Sequence, residues 1–274
     1  MNFSKAVIAA AALVAPLVFP TAPASAGVGD LLVAPTRIVL NGGRGAEIIL
    51  NNIGDEPATY RISVEFRRMT ADGMLEEVAQ PTDADKAARD MIIYAPRRIT
   101  LAPREPQSIR IAARPPQGLP DGEYRIHLLF RAVPPSTPVV APANAPASGL
   151  SFKLTPVYGV TIPVIVRLGN LEAKAVISKV QLDRSGGKPE VTLELSRSGD
   201  RSTFGEIRVL KPGVKDPIAL AKSVAVYTEV NQREVHVPVD DAFKGDLAGP
   251  VTVQYVETYD DGTKTIAETQ AVLR

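Results

Sequence analysis

Few side chains in this sequence are spaced for chemistry. The two histidines, His127 and His236, stand about a hundred residues apart, each inside a strand-like pattern, and neither has a second ligand at metal spacing. His127 shares the polar side of its strand with Arg125 and Arg131, which predicts a solvated or partner-facing imidazole rather than a catalytic one. Ser185-Gly186-Gly187-Lys188 resembles a phosphate loop only superficially: the spacing G-x-x-x-x-G-K-[ST] and the following helix are both missing, so it reads as a hairpin turn. Asp240-Asp241 and Asp260-Asp261 fall at predicted turns, where Asp is common anyway, and each pair falls short of the roughly six oxygens calcium requires. The expectation is a protein with no catalytic residue, no metal and no cofactor.

Another kind of work is written in Leu150–Arg167, L-S-F-K-L-T-P-V-Y-G-V-T-I-P-V-I-V-R. Side chains on a strand alternate faces. One face carries Leu150, Phe152, Leu154, Pro156, Tyr158, Val160, Ile162, Val164 and Val166, none of them charged. A strand of about five or six residues is usual, so this run is far too long for one strand of one sandwich. Either something outside the fold uses part of it, or it is two successive core strands with a bend at Pro156 or Gly159.

Positioning such a strand requires an all-β frame, and the composition suits one: 24 prolines, 20 glycines and few helical patterns. Lys5, the apolar run Ala6–Phe19 and the small residues of Ala22–Ala26 describe a secretory leader, residues 1–26, cleaved near Ala26. That apolar run is too short to span a bilayer. The formal charge of +1 and mixed signs argue against nucleic acid or an anionic membrane as partner. With no cysteine, hydrophobic cores alone must supply stability.

In chain order, Leu31–Leu40 is strand-like but broken by Pro35, which belongs on an edge or at a switch between sheets. Tyr60–Arg67 alternates, and Asp72-Gly73 closes a hairpin into Leu75–Val78. Pro81–Asp90 predicts a turn or two of helix, capped at Thr82 or Asp83. Glu123–Arg131 alternates with Tyr124, Ile126, Leu128 and Phe130 inward. Together these strands predict an immunoglobulin-like β-sandwich over residues 27–168. It includes a Pro/Ala-rich extended loop at 134–149. A second, smaller β-sandwich follows over 169–274, with the hinge at Leu168-Gly169-Asn170.

The assembled pattern resembles the periplasmic pilus-assembly chaperones, the PapD-like family. The stretches that carry the resemblance are Ala34–Leu40 (A-P-T-R-I-V-L), Ala95–Ile111, Leu119–Phe130 and Ile162–Arg167 (I-P-V-I-V-R), in this order after a leader and before a second β domain. The resemblance implies two immunoglobulin-like domains, residence in the periplasm, and no catalysis. It also implies lending of a strand to an incomplete pilin or fimbrial subunit, which is a known mode of strand addition. Such a subunit exposes a hydrophobic groove and two unpaired edges, and a lent strand covers both.

By resemblance the donors are Leu150, Phe152, Leu154, Pro156 and Tyr158. Full burial of three or four at roughly 1.5–3 kcal/mol each gives about 5–12 kcal/mol before ordering costs. Arg37 matches a basic residue that anchors the subunit's terminal carboxylate, while a second basic anchor falls on Pro163, where this chain departs from the pattern. Glu123, Arg167 and Asp246 match a structural salt bridge between the domains. The implied partners are a pilin or fimbrial subunit and an outer-membrane usher; when free the chain is either single or a self-capping dimer. The rival from the residues alone is a secreted structural sandwich, such as an adhesin component, whose long strand completes its own fold.

Overall fold

The computed structural model describes residues 30–42, 44–134, 157–259 and 262–274. Alternation builds the first sandwich from β1 (Leu31–Ala34), β2 (Ile38–Asn41), β3 (Ala46–Asn52), β4 (Ala58–Glu65), the short pair β5 (Arg67–Met69) and β6 (Leu75–Glu77), α1 (Asp83–Met91), β7 (Ile92–Ala95), β8 (Arg98–Leu101), β9 (Pro106–Ala113), β10 (Gly122–Val133) and β11 (Gly159–Leu168). One sheet runs β1-β3-β9-β7 and the other β2-β11-β10-β4-β8. Between them Ile48, Leu50, Ile109, Ile126, Leu128 and Phe130 are buried in one cluster. Pro35 stands between β1 and β2, which belong to opposite sheets, so the proline marks a sheet switch where no ladder bond is owed.

The second sandwich comprises β12 (Ala173–Asp183), β13 (Glu190–Gly199), β14 (Thr203–Leu210), β15 (Ala219–Val226), β16 (Gln232–Pro238), β17 (Gly249–Tyr259) and β18 (Gly262–Leu273). Its sheets are β12-β13-β16 and β15-β14-β17-β18. They close over Val191, Leu195, Ile207, Val209, Val253 and Tyr255. Residues 185–188 lie in the connection between the antiparallel strands β12 and β13.

Two local features depart from or extend the expectation. The helix runs nine residues, longer than a turn or two, because a capping box secures its start. There Thr82 Oγ accepts the Asp85 N–H at 3.3 Å, and the Asp85 carboxylate accepts the Thr82 N–H at 2.8 Å. Burial pushes the Asp85 carboxyl up, but Arg68 at 2.6 Å and Thr82 outweigh it and hold the group below its ordinary value. At the hinge, Gly169 has φ +80° and lies against the Asp121 carboxylate, where a Cβ would collide. Only glycine combines that backbone with that approach.

Candidate functional site

The cleft between the sandwiches is built on the outer face of the first domain's five-stranded sheet. Directly paired residues of neighbouring strands share a face, so the registers read out as rows. Ile38 pairs with Val164, which sets Arg37 one step back beside Pro163; Pro163 pairs with His127, and His127 with Glu65. The next row toward the hinge is Val39, Ile165 and Arg125, and the one after it Asn41, Arg167 and Glu123. The second domain faces these rows with Ser202, Phe204, Tyr227 and Glu229.

The row nearest the hinge is a polar lock. The Arg167 Nε donates to Glu123 Oε2 at 3.0 Å, and the same oxygen accepts the Ser202 N–H at 3.0 Å and hydroxyl at 2.9 Å. Arg167 also donates to the Ser202 carbonyl at 3.1 Å. Asp246 takes no part in it. Its carboxylate accepts the Ala248 N–H at 2.9 Å in an exposed loop, so the short Asx-type turn consumes it locally. The expected third member of the lock is replaced by Ser202.

The middle row carries a second lock. Arg125, 6% exposed at its side chain, ion-pairs with Glu229 and lies over the Tyr227 ring at 3.7 Å. Glu229 also accepts the Met69 N–H at 2.7 Å. Ile165 is fully buried here with Met69, Ala225 and Tyr227. The β5–β6 hairpin reaches across as well: the Ala71 carbonyl accepts the Glu234 N–H at 3.1 Å, and Gly73 abuts the Arg233 guanidinium. Sequence reasoning missed this lock. Arg125 and Glu229 lie 104 residues apart, and a serine such as Ser202 carries no pattern at all. The one available signal was Arg125 itself, a long cation set between the core residues Tyr124 and Ile126.

The outermost row holds Arg37. Its guanidinium donates to Tyr227 Oη at 3.3 Å and Ser202 Oγ at 3.1 Å, and stacks 4.6 Å from the Phe204 ring centre. Burial lowers its pKa from the ordinary value; Arg167 and Arg125 push the same way, against Tyr227 and Glu123. No carboxylate lies within ion-pair distance of it among the described residues. His127 is not the solvated imidazole that its polar strand face predicted. It is 1% exposed, and burial first, then Arg125, Arg67, Arg68 and Arg37, push its pKa down to about 3. The ring is therefore neutral at pH 7. The face of β10 that alternation marks as polar meets the second domain through Arg125, which pairs with Glu229 and lies over Tyr227, so a polar face here does not mean a solvated one.

Beside the cleft, β11 is paired along its whole length to β10, and the pairing continues past its start, where the Tyr158 carbonyl accepts the Ala132 N–H at 3.0 Å. On its other edge β2 covers only Val164–Arg167. Gly159–Pro163 have no strand on that side among the described residues. Pro163, which has no N–H to give a ladder, stands where that pairing has not yet begun. Ile162, Val164 and Val166 enter the first core, with Val160 against it, and on the opposite alternation Ile165 enters the interdomain cluster. Tyr158 and Val157 are 54% and 39% exposed. Leu150, Phe152, Leu154 and Pro156 lie outside the described residues, as do the leader and Asp260-Asp261. Asp241 pairs with Lys188 at 2.6 Å. Exposed His236 faces Glu190 at 2.6 Å, more than a hundred residues along the chain from His127. Among the described residues no helix is long and apolar enough to cross a membrane.

No protein-family model and no curated protein matches the chain. Among solved structures the chain is similar to the YadV chaperone, at 14% identity and TM-score 0.45, covering 89% of this chain and 100% of that one. It is similar to the CupB2 chaperone of Pseudomonas aeruginosa at 14% identity and TM-score 0.44, again covering 89% and 100%. A Salmonella enterica structure of SafA pilin in complex with the SafB chaperone matches at 15% identity and TM-score 0.43, covering 91% of this chain and 99% of that one.

Proposed function

We propose that the chain is a non-enzymatic periplasmic chaperone that holds an incomplete pilus or fimbrial subunit by lending it a strand before assembly at the outer membrane. The observation that carries this reading is the half-covered edge of β11. Its free side, from Gly159 to Pro163, has no strand beside it among the described residues, and the exposed Val157 and Tyr158 extend it outward. An edge of that kind invites pairing with another chain. Leu150, Phe152, Leu154, Pro156 and Tyr158 continue the alternation of the core-facing residues of β11, so one ribbon serves its own sandwich at one end and the subunit's groove at the other.

In this reading Arg37 takes the subunit's terminal carboxylate, while the Glu123–Arg167–Ser202 lock sets the angle between the domains. The leader 1–26 delivers the chain to the periplasm, and an usher receives the complex. The test is co-expression with an incomplete fimbrial subunit encoded beside the gene. Leu154→Glu should abolish co-purification while the free protein melts as the parent does. Arg37→Ala should weaken capture with little change in melting temperature. Undiminished capture by the Leu154 variant defeats the donor assignment and favours a sandwich whose strand completes only its own fold.

A further inference from the structure

Arg61, Arg98 and Arg131 stand in one row of the first domain's five-stranded sheet. Arg131 on β10 pairs with Arg61 on β4, and Arg61 pairs with Arg98 on β8. Their chain neighbours Tyr60, Ile62, Ile99, Phe130 and Ala132 fill the first core, so the three arginines point out of the opposite face, and all are exposed. Like charges set directly across a sheet repel and cost stability. Elsewhere in this domain the charge is answered: Arg67, Arg89, Arg104 and Arg110 hold Glu65, Asp90, Asp55 and Glu47. None of the row's three arginines has an ion-pair partner among the described residues. The adjoining rows supply no acid either: one carries Thr100, Thr59 and Val133, the other Ser63, Leu129 and Thr161. Blunting a sheet edge would explain a charge on the outermost strand β8. It does not explain Arg61 and Arg131, because β4 and β10 lie inside the sheet. A chain whose formal charge is only +1 has thus gathered three unanswered cations in one line.

We propose that this row is a docking surface for an acidic segment of a partner protein, an extended stretch with two or three closely spaced carboxylates. Neighbouring strands lie about 4.8 Å apart, so the row spans about 10 Å. Carboxylates two residues apart on an extended chain are separated by about 6.6 Å, which lets two of them meet two arginines at once. The planar fork of arginine suits a carboxylate better than a lysine does, and all three positions are arginine. Leu129 and Val133, half-buried two places to either side of Arg131 on β10, offer apolar contact to a polypeptide. A lipid surface is held by clusters of about four to eight basic residues, more than the row contains. The surface is separate from Arg37: Arg131 pairs with Gly159, four residues or about 13 Å along β11 from Pro163. It uses side chains on a sheet face and not the backbone edge of β11, so it does not rest on the strand-lending reading.

The probe is a labelled peptide with Glu at alternate positions, blocked at both ends so that no terminal carboxylate is offered to Arg37. Its Gln twin and phosphatidylglycerol vesicles run beside it. Fluorescence anisotropy should show the Glu peptide binding the purified chain at low salt and loosening as salt rises, with the Gln twin unbound. Arg61→Gln, Arg98→Gln and Arg131→Gln should each weaken it about two- to five-fold, and the triple variant should lose measurable binding. All three side chains are exposed, so the variants should fold as the parent does. Arg61 is opposed on both sides, which gives it a second signature: Arg61→Gln should raise the urea midpoint at low salt and not at high salt, because repulsion is relieved. Equal binding of the Gln twin, affinity untouched by the three substitutions, or vesicles held more tightly than the peptide through the same arginines would overturn the proposal. So would an unchanged low-salt midpoint, since charges that do not feel one another leave nothing for a partner to relieve.

Discussion

From Val164 to Arg167, β11 runs between β10 and β2, with Val164 and Val166 in the first core and Ile165 sealed against the second domain. From Tyr158 to Pro163 the same ribbon keeps β10 on one edge and has no strand on the other among the described residues, and Tyr158 and its neighbour Val157 are exposed. The alternation of apolar residues is identical in both halves. What differs is backbone pairing, and that decides whether an oily strand is structure or an offer. Periodicity specifies which face is apolar; it is silent on what will cover that face.

The harshest way to break the comparison is to place a charge in the covered half. Val164 is fully buried in the first core, and Val164→Asp puts an unpaired carboxylate there. The expected loss exceeds about 4 kcal/mol, enough to abolish the folded first domain. Circular dichroism during a urea titration reads it, and a variant with an unaltered midpoint would show that the hinge half is not core.

A smaller effect comes from His127, two places from Arg125 on the face of β10 that meets the second domain. Its pKa of about 3 in the folded chain lies below the ordinary 6.5. Between those values the unfolded chain binds the proton and the folded chain does not, so stability rises with pH. The contribution is complete above about pH 6.5 and is lost as pH falls toward 3, at roughly 1.4 kcal/mol per pH unit inside the window. Urea midpoints taken from about pH 6.5 down to 4.5, above most carboxylate titration, should fall more steeply for the parent than for His127→Phe. Parallel slopes would mean that the ring titrates freely.

These two sites also mark how far the sequence could be read. Val164 and its neighbours were legible because one sheet buries them, and a sheet's demand is periodic. So was the sheet switch at Pro35, since proline's missing N–H is a local fact. His127 was misread because its burial is tertiary, and no local window contains it. Arg125–Glu229 was invisible for the same reason. Asp246 was placed by resemblance and not by any physical demand, and a turn amide claims its carboxylate. Glu123 and Arg167 were named as a pair and do meet, but the residue that joins them to the second domain is a serine.

The finest test lies at the free end, where the expected change in stability is close to nothing. Tyr158 holds its place in the ribbon through its carbonyl, which accepts the Ala132 N–H at 3.0 Å, while its side chain is mostly in water. Tyr158→Asp leaves that backbone bond intact and removes only the covered part of a side chain that is 54% exposed, so stability should fall by less than about 1 kcal/mol. If the outer half is an offer, the same substitution should still cut subunit co-purification several-fold, because the new charge would be carried into an apolar groove. Stability unchanged and capture lost would separate the two halves of β11 by function. Stability lost along with capture would make Tyr158 part of the protein's own core and move the boundary of the lent segment toward residue 150.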